Sequence, residues 1–171
     1  MKGCIQVYTG DGKGKTTAAL GLALRAAGAG LRVCIIMFMK GAESSENTIL
    51  KRLTDLITVR QYGRPGFIEG IPEDEDIRLA REGLEEAVRA VNSGEYDMVI
   101  LDEANVAVYF GLFPVSALLR LMDRKPEQVE LVITGRKADP QVIERADIVT
   151  EMCEIKHYYH KGVPARKGIE L

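Results

Sequence analysis

A doubly wound, mainly parallel α/β sheet of about six strands is the fold class this sequence predicts. Three observations carry that expectation. Six short apolar runs recur along the 171 residues, helical patterns separate them, and the first run turns through glycines into an alanine-rich segment.

In chain order, strands are expected at residues 4–8, 33–38, 57–60, 98–101, 130–134 and 147–151. Several are apolar nearly throughout, as a sheet covered by helices on both faces requires. A helix over 16–27 is ended by Gly28 and Gly30. The clearest helix spans 74–92, where Ile77, Ala80, Leu84, Ala87, Val88 and Val91 recur at helical spacing among Arg and Glu, and Ser93-Gly94 stops it. Pro114 and Pro140 read as first-turn prolines for helices over 115–122 and 141–145. Residues 40–46 and 61–76 take no assignment; loops of that length in a compact domain are often lids, so the second substrate is expected there.

A hydrophobic content of 46% over this length supports one core and a single domain across 1–171. Net charge is −2, and no segment concentrates Lys and Arg into a nucleic-acid stripe, so no nucleic-acid partner is expected. No apolar run reaches the roughly 18 residues a bilayer span needs, and residues 1–5 lack an apolar signal core, which predicts a cytoplasmic protein with no membrane contact. Cys4, Cys34 and Cys153 are odd in number, widely spaced and set in or beside apolar runs, so they read as buried thiols.

Thr9-Gly10-Asp11-Gly12-Lys13-Gly14-Lys15-Thr16-Thr17 lies between the first strand and the first helix and reads as a phosphate cradle, predicting a phosphate-loop NTPase-like, RecA-like architecture that binds a nucleoside polyphosphate. Glycines let backbone N–H groups surround an oxyanion, Lys15 reaches a phosphate, and the Thr16 hydroxyl suits Mg²⁺ or Mn²⁺. Thr9 stands where the usual pattern has its first glycine, with Gly10 supplying the freedom one residue later. Lys13 is a weaker candidate, since a loop lysine is readily just solvated. Asp11 beside phosphates is electrostatically unfavourable unless it faces the metal shell, a water or a lysine, so it is expected to point away from them.

The fourth strand delivers Asp102 and Glu103 at its carboxyl end, so Thr16 and Glu103, with Asp102, form the expected metal site; Asp102 as a helix cap is the plainer reading. The fifth strand ends in Thr134-Gly135-Arg136, where Arg136 suits polyphosphate oxygens or a surface ion pair. His157 and His160 lack a third ligand nearby in sequence and read as solvated or hydrogen-bonded rings.

With these residues in view, the chain resembles the corrinoid (cob(I)alamin) adenosyltransferases of the phosphate-loop type. The carriers are the loop through Ala18-Ala19, Phe38-Met39-Lys40-Gly41, Leu101-Asp102-Glu103, Arg124-Lys125-Pro126, Thr134-Gly135-Arg136, Glu154-Ile155-Lys156-His157 and Gly168-Ile169-Glu170. The resemblance implies transfer of the 5′-deoxyadenosyl group of ATP to the cobalt of a reduced corrinoid, with release of triphosphate. It further implies a homodimer, an electron-donating flavoprotein partner, and catalytic roles for Lys15, Arg136 and Phe67. Phe67 is the expected apolar wedge that displaces the lower cobalt ligand, although Glu69 stands where some members carry a second aromatic. A kinase or ATPase cleaving the terminal phosphate, and a non-enzymatic ATP-sensing module, are the competing readings of the loop.

Overall fold

Residues 2–42, 45–53, 55–66 and 70–170 are described by the computed structural model of the chain, and they hold a wholly parallel six-stranded sheet in the order β3-β2-β4-β5-β1-β6. The strands are β1 Ile5–Thr9, β2 Val33–Phe38, β3 Ile57–Tyr62, β4 Met98–Asp102, β5 Glu130–Thr134 and β6 Ile148–Glu151. Parallel neighbours need crossover connections, which α1 Lys15–Gly28, α2 Ser45–Leu50, α3 Asp74–Asn92, α4 Ala104–Tyr109, α5 Val115–Arg124 and α6 Pro140–Arg145 supply.

β2 lies inside the sheet and is buried at all six positions, so its alternate side chains enter two separate cores. Val33, Ile35 and Met37 pack with Ala19, Ala23 and Leu50 of α1 and α2. Cys34, Ile36 and Phe38 pack with α3, α4, α5 and α6 on the other face. Along α3 the buried stripe runs through Asp76, Ala80, Gly83, Ala87, Ala90 and Val91, whereas Val88 faces solvent. Gly83 is needed there because a Cβ would lie 2.9 Å from the Phe38 ring.

The structure adds two helices to the expected set. α2 begins inside the unassigned residues 40–46, and α4 starts directly after the Asp102-Glu103 pair. Both span six residues, too short for an amphipathic period to announce them. Pro114 occupies the cap position rather than the first turn of α5, while Pro140 opens α6 and the Asp139 side chain accepts from Gln141 N–H at 2.9 Å.

Lys125 belongs to the other end of the sheet. Its ammonium donates to the carbonyls of Gly3, Pro126 and Val129 and so ties down the starts of β1 and β5. The Arg124-Lys125-Pro126 element of the resemblance is therefore a structural clamp.

Only part of the cysteine expectation holds. Cys34 is buried, and burial pushes its thiol up to about 12, but Cys153 is exposed beyond the edge strand β6. Reactivity follows thiolate and access. Titration of native protein with a chromogenic disulfide should therefore label Cys153 rapidly and Cys34 only after unfolding; equal native rates for both would contradict this packing.

Candidate active site

β4, β5 and β1 are consecutive in the sheet, so the segments leaving their carboxyl ends emerge side by side. The loop after β1, the Asp102-Glu103 pair after β4 and the Gly135-Arg136 turn after β5 thereby share one rim, as ligand sites of open α/β sheets do. Met39, Glu103 and Lys137 have left-handed backbones, with φ of 58°, 62° and 58°, and they follow β2, β4 and β5 on this rim. Such conformations cost about 1–3 kcal/mol each and collect at functional sites.

The loop ends at Gly14, whose φ of 118° precedes α1 without a side-chain cap and without acids in the first turn. α3 starts differently, with a capping box from Glu73 and Asp76 and three acids in its first turn. The start of α1 thus offers the amides of Lys15, Thr16 and Thr17 to an anion, reinforced by the helix dipole. Lys15 is buried, and its ammonium donates to Gly10 O at 2.8 Å and Gly12 O at 2.7 Å. Burial, then the positive charge of Arg136, lowers its pKa. Arg136 makes no ion pair among the described residues, so the surface-pair reading finds no partner there, and its charge is felt at both Lys15 and Glu103.

Several loop residues do work other than the phosphate contact expected of them. The Thr9 hydroxyl accepts from Ala138 N–H at 3.3 Å. Gly12 N–H donates to Met152 O at 2.6 Å, so this amide binds the segment after β6. A Cβ at Gly10 or Gly12 would lie 2.5 or 2.6 Å from that same carbonyl, so both glycines permit chain-to-chain approach. Asp11 turns toward Lys137, 3.9 Å away, which is one of the outlets expected for it. Lys13 is not simply solvated: it bonds Ile169 O and Glu170 Oε1, both at 2.9 Å.

The two acids after β4 divide their roles. Asp102 is fully buried; its Oδ1 accepts from the Thr134 hydroxyl at 2.7 Å and its Oδ2 pairs with Lys40 at 2.7 Å. Burial opposes the Lys40 charge, yet Asp102 holds its pKa above the ordinary value. Thr134 Oγ1 also accepts from Glu103 N–H at 3.0 Å, so one network pins the exits of β2, β4 and β5. Asp102 does not cap α4, whose cap position is Glu103 without a side-chain bond. Glu103 is the carboxylate left for a ligand: it takes no side-chain hydrogen bond among the described residues, and burial, then Asp102, raises its pKa. The sequence presents Lys40 and Thr134 only within short turn motifs, because nothing local shows that they meet across 62 and 32 residues through Asp102.

The segments that follow β2 and β3 close on each other. Met39 N–H donates to Tyr62 O at 2.8 Å, and a Cβ on Gly63 would lie 2.4 Å from Lys40 N. Arg64 then grips both Asp76 oxygens at 2.8 Å and Glu73 at 2.8 Å, fixing the start of α3. Phe67 and Glu69 lie outside the described residues. His160 bonds Glu154 at 2.7 Å, and His157 Nδ1 accepts from Tyr159 N–H at 3.1 Å. No group of three or more His, Cys, Asp or Glu suited to a metal occurs among the described residues.

The fold and rim define a phosphate-loop α/β nucleotide-binding protein. In keeping with this, the chain resembles the solved RadB recombinase with a TM-score of 0.59 at 13% identity, covering 91% of this chain and 77% of that one, a likeness of fold alone. Residues 1–171 match the family described as ATP:corrinoid adenosyltransferase BtuR/CobO/CobP. The corrinoid adenosyltransferase of Pseudomonas aeruginosa is 34% identical over 171 residues, covering 99% of this chain and 84% of that protein. That of Escherichia coli K12 is 34% identical over 170 residues, covering 99% and 86%. The chain belongs to the ATP:corrinoid adenosyltransferase family.

Proposed function

We propose that this chain, working as one domain, aligns the 5′-carbon of ATP with the cobalt of a reduced corrinoid, so that a cobalt–carbon bond forms as the 5′-carbon–oxygen bond breaks. The cobalt supplies the electron pair, and the pair of the broken bond leaves on triphosphate. The observation that carries the reading is the convergence of Lys15, Arg136 and Glu103 on one rim at the start of an uncapped helix. Lys15, Arg136 and the first-turn amides of α1 would stabilise charge gathering on the triphosphate, and alignment supplies the rest of the rate.

The donor set suits a hard divalent cation: the Thr16 hydroxyl and Glu103 carboxylate would hold Mg²⁺ or Mn²⁺, which neutralises polyphosphate charge when bound. Asp102, with both oxygens engaged, positions this pair instead of ligating. Phe67 as the apolar wedge, a homodimer, an electron-donating flavoprotein and a cytoplasmic setting complete the reading. They rest on the family resemblance, and no helix of the described residues is long and apolar enough to cross a membrane.

Incubation with Mg-ATP and chemically reduced cobalamin should yield intact triphosphate and a corrinoid whose visible spectrum changes on illumination, since its cobalt–carbon bond is light-sensitive. ADP with phosphate would point instead to terminal-phosphate cleavage. Binding of ATP without any product would point to a sensing module.

A further inference from the structure

Two consecutive loop residues are tied to the C-terminal part of the chain. Gly12 N–H bonds Met152 O, and the Lys13 ammonium donates to Ile169 O and Glu170 Oε1 at 2.9 Å and faces Tyr158 OH at 3.5 Å. The Glu170 carboxylate gathers further partners. Arg166 N–H donates to it at 2.8 Å, the Arg166 guanidinium at 3.1 and 3.2 Å, and Tyr158 OH makes a short bond to it. Arg166 also lies over the Tyr158 ring, 5.0 Å from its centre. Arg166, Tyr158 and Lys13 together hold the Glu170 carboxyl well below the usual carboxylate range. Only 16% of the Glu170 side chain is exposed.

An isolated surface ion pair contributes little, but here one carboxylate closes a network of three side chains and two backbone groups over a separation of 157 residues. Through Lys13 the network reaches the middle of the loop. Gly12 and Gly14 flank Lys13 and offer no side chain, and Gly14 has φ of 118°, so this stretch of backbone is intrinsically loose. An anion nest binds best when its amides are already ordered, because ordering on binding subtracts from affinity. Among the described residues the hydrogen-bond partners of the Lys13 ammonium all lie in the C-terminal segment, whereas the Lys15 ammonium stays within the loop, which leaves Lys13 as the anchor and Lys15 as the lysine placed for phosphate.

We propose that Glu170 is a positioning residue for nucleotide binding: acting through Lys13, it latches the segment 158–170 onto the phosphate loop and holds the loop in its anion-receiving shape. This rests on the reading of the loop as the ATP site. The latch is equally present in ground and transition states, so its loss weakens nucleotide binding uniformly and leaves the bond-making step alone.

The experiment compares wild type, Glu170→Gln, Lys13→Met and the double variant. Glu170→Gln is expected to raise KM for Mg-ATP by about five- to tenfold, with kcat within about twofold of wild type and KM for the corrinoid unchanged. Isothermal titration with Mg-ATP should show the same weakening in Kd without turnover. Because both residues serve one latch, the double variant should be no worse than either single one. Lys13→Met, a change to a half-exposed side chain, reports independently should Glu170→Gln fold poorly. An unchanged KM and Kd, an equal loss confined to kcat, or additive losses in the double variant would each overturn the latch. Failure of wild type to bind Mg-ATP would overturn the site reading instead.

Discussion

Lys15→Ala should lower turnover with pre-reduced cobalamin by about 10²–10³-fold, the usual cost of removing one preorganised charge from developing oxyanion charge. The side chain is 7% exposed, so its ammonium acts where water screens little. It also spans the loop, donating to Gly10 O and Gly12 O, and its removal loosens the turn that presents the α1 amides. Both effects fall on the leaving triphosphate, so single-turnover rates should drop along with steady-state ones. Arg136 is close enough for its charge to lower the Lys15 pKa, but it is exposed and cannot replace a buried donor. Near-wild-type single-turnover rates in Lys15→Ala would remove the phosphate assignment from this residue.

Asp102→Ala should have the largest effect on stability. The carboxylate is fully buried and joins Lys40, after β2, to Thr134, at the end of β5. Breaking such a pair by removing one partner costs about 3 kcal/mol, the lower end of the range for buried pairs, because Lys40 keeps partial access to solvent. The same change leaves the Thr134 hydroxyl without its acceptor and loosens the group that holds the Glu103 N–H, so activity should fall too. Urea unfolding should show a lower midpoint at unchanged slope. Asp102→Asn separates the terms: it keeps an acceptor for Thr134 but loses both the charge and the acceptor facing Lys40. If Asp102→Ala were as stable as wild type, the network would not be what fixes the three strand exits.

β2, β4 and β5 were legible because burial on both faces imposes an apolar run that needs no partner to recognise, and β2 and β5 match their expected bounds to the residue. β3 runs on through Tyr62, past the expected end at residue 60, because Gln61 and Tyr62 pair with Met37 and Phe38 of a neighbour that local composition does not reveal. Among site residues, Lys15 and Thr16 were legible for a related reason: the glycine turn and the helix start lie within a few residues of each other. Lys13 could not be placed in that way, since its partners Ile169 and Glu170 lie at the far end of the chain.

By itself, the sequence determined that a strand feeds a glycine-rich turn into a helix and that Asp102, Glu103 and Arg136 arrive at strand ends, since alternation and helical periodicity are local properties of the chain. Only the tertiary structure decided which of these groups remains available to a ligand. Asp102 is consumed by Lys40 and Thr134, the Gly12 amide by Met152, and Lys13 by the C-terminal segment. Each of those pairings joins residues distant in sequence, and where the pair is buried, as at Asp102, desolvation makes the hydrogen bond decide what its neighbour can do.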